Sequence, residues 1–267
     1  MATAQPDTLL LVPPGAPVPT RVGIGLRPGF TRRLVTTPIV LALLLLALYL
    51  WVQSRDLDIV EDRTLTQRGV LKALAQHLEL VGLSSLAVLA IAVPLGILVT
   101  RPSFRRASPV TIAIASVGQT IPSFGVIVLF ALTLGFGSRY VIYALILSTI
   151  LPVLSNTIVG LQQIEPALKE AASGVGMTPF QVLTRIELPL AVPVLLAGLR
   201  TSIVLNVGTA TVAAFTGAGG LGSLIVTGLV QNRDVITVVG GALTAILALA
   251  LDHLTRMTQE LLTPRGL

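Results

Sequence analysis

Long apolar runs separated by short polar segments dominate this chain. One of them begins at Ala107 and ends at Ser138 without a single charged residue. Continuous runs of this kind are typical of membrane-spanning helices, whereas the strands of a membrane barrel alternate apolar and polar positions. A helix also pairs its own backbone groups, as hydrocarbon requires. We therefore predict six spans, each near the ~20 residues that cross a bilayer, at about 36–54, 78–100, 108–134, 140–160, 190–213 and 235–256.

Composition strengthens the membrane assignment. Hydrophobic residues make up 53% of the chain and charged residues 11%, with a mean hydropathy of +0.89. A soluble domain of 267 residues could not bury this much apolar surface. The net charge of +6 would suggest nucleic acid in a soluble protein, but here the basic residues lie mainly between apolar runs. We expect a lipid-embedded protein with no nucleic-acid partner.

The basic residues predict the orientation. Loops rich in Lys and Arg stay in the cytoplasm, which places three segments there: the one before the first span, the one between the second and third, and the one after the sixth. Both termini are then cytoplasmic. We divide the chain into a flexible tail over 1–33 without a cleaved signal peptide, an extra helix and outer polar segment over 34–77, a transmembrane domain over 78–257 and a tail over 258–267. A short surface helix is expected within 57–77.

Polar residues inside the predicted spans are candidates for a translocation pathway. Pro122, in the run Gly118–Ser123, removes a backbone donor and predicts a kinked or broken third span. The bend either surrounds a pathway or is a packing kink. The other polar residues either line a weakly binding pathway or form interhelical hydrogen bonds; with Pro122 and Arg200, the pathway candidates are Gln119, Ser123, Asn156, Asn206 and Thr209.

Arg200 is a charge well inside an apolar run, so it either faces the pathway, pairs across the bundle or reaches the cytoplasmic headgroups.

Glycines between spans five and six predict a loop or re-entrant turn on the outer side, because each glycine costs a helix roughly 1 kcal/mol relative to alanine. That turn either contacts a delivering protein or is a packing turn, and its glycines are Gly217, Gly219, Gly220 and Gly222. His77 and His253 stand apart, so we interpret both as ordinary helix-end residues and expect no metal site.

The polar segment 162–187 predicts a helix-turn-helix on the cytoplasmic side. Residues 165–175 favour a helix, Gly176 permits a turn, and Pro179 suits the first turn of the next helix. Small residues at Ala171 and Ala172 leave a surface that another protein can approach closely. The segment fits a docking element.

Within it, Glu170-Ala171-Ala172 is followed by Gly176 and then by Ile186, Leu188 and Pro189. This spacing resembles the EAA loop of permease subunits of binding-protein-dependent ABC importers. With residues 119–123 and 217–222, the chain looks like the osmoprotectant branch, whose substrates are glycine betaine, choline, carnitine and similar quaternary amines. The resemblance covers about 78–257 and leaves the role of the first span open.

The resemblance implies an all-α, polytopic membrane bundle of the MetI-like type in a prokaryotic cell membrane. The loop 162–189 would contain a coupling helix that meets a cleft on a separate cytoplasmic ATPase through Glu170, Ala171, Ala172, Gly176 and Pro179. The other implied partners are a second permease, identical or paralogous, and an extracytoplasmic substrate-binding protein.

The residues themselves predict no catalytic site or cofactor in this chain. The only two lysines, Lys72 and Lys169, have no glycine-rich loop before them, so this chain cannot bind ATP phosphates in such a loop. The resemblance then implies that ATP and Mg²⁺ are used by the partner ATPase. The alternatives are an importer for another small zwitterion or amine, or an ion-coupled carrier. Spans three and four contain no Asp, Glu or His for a proton relay, and no inverted repeat is evident. With 4% aromatic residues, tight selection of a cation is expected in the binding protein.

Overall fold

The computed structural model describes residues 30–262, with side chains from residue 34 onward. Over that range the chain forms helices joined by turns and loops. A π-helical turn covers Leu183–Glu187, and a 3₁₀ turn covers Ala213–Thr216. The α-helices are α1 Phe30–Gln53, α2 Ile59–Thr64, α3 Gln67–Thr100, α4 Ser108–Thr120, α5 Ser123–Leu134, α6 Ser138–Gln162, α7 Pro166–Gly174, α8 Pro179–Val182, α9 Leu188–Val212, α10 Gly222–Val230 and α11 Asp234–Leu262.

The centre of the bundle is formed by α3, α6 and α9. Two apolar clusters fill it, one around Leu80 and Leu145 and the other around Val88 and Leu154. A Cβ at Gly198 of α9 would lie 2.5 Å from the Pro152 carbonyl oxygen of α6, so glycine lets these two backbones approach closely. At the periphery of the bundle, α11 packs on α9 and α10, and α1 packs on α11.

The bundle has two ends, which we name after their short helices. The α7 end holds the last turns of α3, α6 and α11 and the first turn of α9. The α10 end holds the first turns of α3 and α11 and the last turn of α9. Both assignments follow from contacts between distant residues, such as Gln259 Nε2 donating to the Pro193 carbonyl and the Leu221 amide donating to His77.

The predicted all-α membrane bundle is confirmed. Five of the described helices are long and apolar enough to cross a membrane, and the broken pair α4–α5 makes a sixth if it counts as one span. At that break, over Ile121 and Pro122, the two axes differ by 87°. The sequence signal for a broken helix therefore corresponds to a near right-angled turn.

Other expectations need correction. The second long helix begins at Gln67 and not at 78, so the domain boundary proposed at 78 falls inside one continuous helix. Within the polar segment before 78, the short helix is α2. The interpretation of His77 and His253 as helix-end residues is wrong, because both lie in the interior of long helices, His77 fully buried in α3 and His253 half-buried in α11. At the other boundary, α11 continues to Leu262, past the predicted start of the tail at 258. The tail residues 1–29 and 263–267 lie outside the described range.

Candidate functional site

The segment between α6 and α9 folds as two short helices with a glycine turn between them. Pro166 occupies the first turn of α7, where its missing amide donor costs nothing. Gly176 lies in the turn after α7 and has a φ of +86°. This backbone conformation would be strained for a residue with a side chain. Thr178 and Gln181 then form a reciprocal capping box, with Pro179 in the first turn of α8. Local sequence therefore accounts for the helix-turn-helix over this segment.

This segment presents an exposed surface at the α7 end. Ala172 faces inward and is buried, while Glu170 and Ala171 are exposed. Next to them, two large apolar side chains have little cover, with Val175 78% exposed and Phe180 72% exposed. Apolar side chains left exposed together on a polar segment commonly mark a protein contact.

A buried carboxylate lies beneath this surface. Glu187 is 3% exposed, and its two carboxylate oxygens face two cations. Arg101 Nη2 donates to Oε2 at 2.6 Å, and Lys169 Nζ lies 3.2 Å from Oε1. The same two cations also cap helix ends, because Arg101 Nε donates to the Ile97 carbonyl of α3 and Lys169 Nζ to the Leu161 carbonyl of α6. We call Arg101, Lys169 and Glu187 the Glu187 network.

An apolar cluster packs around the same helix ends. Leu161, Ile164 and Ala191 are buried together, with Ile97 and Leu190 against them. The cluster joins the ends of α3 and α6 to the start of α9, whereas the Glu187 network also includes α7. Through its contacts with Glu187 and the Leu161 carbonyl, Lys169 connects the Glu-Ala-Ala segment directly to the helices of the bundle.

At the α10 end, the glycine turn is held by α3. Gly217, Gly219 and Gly220 have φ between +76° and +85°, which explains the glycines in this turn. The Gly220 amide donates to Gln76 Oε1 at 3.2 Å. A Cβ at Gly219 would lie 2.5 Å from the same oxygen, so the turn lies directly against α3.

His77 fixes the rest of the turn. The Leu221 amide donates to Nδ1 at 3.3 Å, so Nδ1 is the unprotonated nitrogen. The other nitrogen, Nε2, therefore carries the proton and donates to the Val207 carbonyl at 3.1 Å. One neutral imidazole thus links α3, α9 and the turn. Gly222 does not belong to the loop that the sequence predicted, because it begins α10.

The predicted pathway residues occupy separate places. Asn206 is fully buried and donates to Ser84 Oγ at 2.7 Å and Ser85 Oγ at 3.1 Å. Asn156 donates to the Pro152 carbonyl within its own helix. The remaining candidates are more accessible: Gln119 and Pro122 are exposed, and Ser123 and Thr209 are half-buried.

Arg200 pairs across the bundle. Its guanidinium donates through Nε and Nη2 to the carboxylate of Asp252 on α11, the second bond measuring 3.0 Å. Arg256 Nη2 lies 3.6 Å from the same carboxylate. Of the three positions that the sequence left open for Arg200, the structure shows interhelical pairing near the α7 end.

An aromatic pair lies beside the α4–α5 break. The rings of Phe124, which follows Ser123, and Phe215 pack edge to face with centroids 5.6 Å apart. Both rings remain about half exposed, at 49% and 55%. Sequence reasoning missed this pair because the two residues lie far apart in the chain. It also missed Glu187, which reads as an ordinary charge in a polar segment.

The family model and similar known proteins describe the same kind of protein, a membrane component of a transport system. Residues 92–265 match the family described as the binding-protein-dependent transport system inner membrane component. The osmoprotectant import permease protein OsmY of Salmonella typhimurium is 37% identical over 84% of this chain and 93% of its own length. The choline transport system permease protein OpuBD of Bacillus subtilis is 40% identical over 65% of this chain and 76% of its own length.

Solved structures show the same fold. A chain of the MetNI methionine ABC transporter in an inward-facing conformation superposes with a TM-score of 0.64, covering 73% of this chain and 96% of that one at 22% identity. An amino acid ABC transporter solved with histidines gives a TM-score of 0.60, with 77% and 99% coverage at 18% identity. The chain belongs to the family of inner membrane components of binding-protein-dependent transport systems, and it is a multi-pass permease subunit of an ABC importer.

Proposed function

We propose that this permease forms the membrane pathway of an importer for small quaternary amines and similar osmoprotectants, with ATP hydrolysis in a separate subunit. The observation that carries the coupling part is the exposed surface of α7 and its turn. Glu170 and Ala171 project from it beside the uncovered Val175 and Phe180. An isolated bundle gains nothing from two such exposed apolar side chains outside its long helices, whereas a docked ATPase would cover them.

The substrate class is supported by the relatives and by one structural feature. Relatives 34% to 40% identical to this chain are named as permeases for osmoprotectants, choline, carnitine or glycine betaine. The half-exposed ring pair of Phe124 and Phe215 offers aromatic faces of the kind that attract a quaternary ammonium group. Two half-exposed rings do not enclose a cation, so capture belongs to the binding protein.

The proposed orientation places the α7 end in the cytoplasm and the α10 end outside, with both chain termini cytoplasmic. It is supported by basic residues near the α7 end, where Arg101, Arg105 and Arg106 lie in one loop. The α10 turn would then face the substrate-binding protein. A second permease, identical or related, would complete the pathway.

Cysteine chemistry tests the docking and the orientation together. The sequence has no cysteine, so an introduced one is unique. Ser173 in α7 and Ser54 after α1 are both exposed serines whose hydroxyls bond a nearby main-chain carbonyl. Ser173→Cys should react with a membrane-impermeant maleimide in inside-out vesicles and form cross-links to the ATPase. Ser54→Cys should be labelled from the outside and form no such cross-links.

Reconstitution with the ATPase and the binding protein tests the substrate. Radiolabelled glycine betaine, choline and carnitine should accumulate in proteoliposomes only with ATP and the binding protein present. Uptake by the permease alone would contradict the proposed mechanism, and cross-links from Ser54→Cys but not Ser173→Cys would reverse the orientation.

A further inference from the structure

We propose that Glu187 is the positioning residue through which movement of the docking helix α7 reaches the transmembrane helices α3 and α9. The proposal rests on the proposed docking of α7 to an ATPase. It concerns a residue outside the Glu-Ala-Ala sequence and outside the exposed surface, since Glu187 is buried beneath α7.

The first argument is connectivity. Glu187 belongs to the turn that begins α9, Arg101 ends α3, and Lys169 belongs to α7. One carboxylate therefore contacts residues of two other helices through its two oxygens, at 2.6 and 3.2 Å. Because Lys169 immediately precedes Glu170, a displacement of α7 acts directly on this contact.

The second argument is what else joins α7 to the bundle. The chain on either side of it consists of short turns, residues 163–165 and 175–178. The glycine turn at Gly176 has open space around its Cβ position, so nothing packs there. Ala172 is the buried residue of α7 and offers only a methyl group. The charged contact of Lys169 is thus the long-reaching connection between α7 and the helices behind it.

The third argument is chemical specificity. A buried carboxylate can accept from both cations at once, because both of its oxygens are acceptors. An amide at the same place has one acceptor oxygen and an NH₂ group, which would face a cation without a bond. Glu187→Gln therefore keeps the shape and removes one of the two connections. Lys169→Gln removes the connection of α7 to Glu187, together with the bond from Lys169 to the Leu161 carbonyl, and leaves the pair between Glu187 and Arg101.

The test uses the complete complex in proteoliposomes, with ATP hydrolysis and uptake measured on the same sample. The probe is radiolabelled glycine betaine, choline or carnitine, whichever the unmodified complex imports fastest. A lost charge-assisted hydrogen bond corresponds to about a tenfold change in an equilibrium. We expect Glu187→Gln and Lys169→Gln to lower the substrate imported per ATP by about tenfold, with hydrolysis within about twofold of the unmodified complex.

The matched control is Glu260→Gln, the same substitution at an exposed carboxylate of the same end of the bundle. It should keep the ratio of import to hydrolysis. A variant that only destabilises the protein lowers both activities together, so the ratio separates a positioning role from a structural one. Lys169→Gln also serves as the folding comparison for Glu187→Gln, because the Lys169 side chain is one-third exposed and its loss leaves the pair between Glu187 and Arg101 intact.

Four results decide the matter. A lowered ratio in Lys169→Gln supports the proposal, whereas an unchanged ratio in an assembled Glu187→Gln complex overturns it. An unchanged ratio in Lys169→Gln also overturns it. If a complex that carries only Ser173→Cys shows no cross-link to the ATPase, the proposed docking has failed, and that failure is visible before any network variant is made.

Discussion

The pairing of Arg200 with Asp252 predicts an asymmetric loss of stability. Asp252 has a second cation, Arg256, at 3.6 Å, whereas the described contacts of the Arg200 guanidinium go to Asp252. Removing the carboxylate therefore leaves two cations facing each other, and removing Arg200 leaves Asp252 still paired. We expect Asp252→Asn to cost more free energy of unfolding than Arg200→Gln.

The magnitude follows from the environment of the pair. The two side chains are 30% and 25% exposed, between a surface pair and a fully buried one. Exposed pairs contribute about 0–1 kcal/mol, and breaking a buried pair costs about 3–5 kcal/mol. The bidentate geometry places the pair near the middle of the interval between these limits. A coupling energy of about 2 kcal/mol is therefore expected between the two positions.

A double-mutant cycle measures this coupling. Equilibrium unfolding in mixed detergent and SDS micelles would give the free energy for the unmodified chain, Arg200→Gln, Asp252→Asn and the double variant. The pair of Arg233 and Asp58, 2.7 Å apart but 41% and 35% exposed, provides the comparison and should couple by less than about 1 kcal/mol. Additive losses at Arg200 and Asp252, or equal coupling in the two pairs, would refute the reasoning.

Two further predictions concern the α10 end. Gly222→Ala should lower the free energy of unfolding by about 1–3 kcal/mol, because the new Cβ would overlap the Thr211 carbonyl group. The control is Gly241→Ala, whose new Cβ would enter open space, and it should be neutral or slightly stabilising in the same unfolding assay. His77→Leu should also lower the free energy of unfolding, because it leaves buried groups such as the Leu221 amide without a hydrogen-bond partner, at about 1–3 kcal/mol for each group. Unchanged stability would show that the imidazole does not hold the turn.

The sequence predicted the number and type of long helices because lipid imposes its requirement locally. An apolar run of sufficient length must be helical whatever surrounds it. The same holds for the short signals, since Pro122, Gly176 and Pro179 act on their own backbone. In each case the predicted break, turn or helix start is present at that residue.

The errors arise where polar residues are buried by tertiary packing. Residues 67–77 look too polar for a membrane helix, yet α3 continues through them because Gln76 and His77 find partners in the turn and in α9. The glycine-rich segment predicted a loop, but the apolar residues after it form α10 against α11. No local pattern specifies these partners, which lie about 130 to 144 residues away.

Glu187 shows why a functional residue of this kind escapes sequence reasoning. In a polar segment next to the membrane, a glutamate is expected to face water, and most such residues do. Its burial depends on three helix ends meeting, since Arg101 lies 86 residues away and Lys169 reaches it only because α7 folds back on the bundle. The exposed Glu170 attracts attention through its motif, but a surface residue can only bind a partner. Under the proposed coupling, force must pass from that surface into the bundle, and the charged contact of Glu187 lies directly behind the surface.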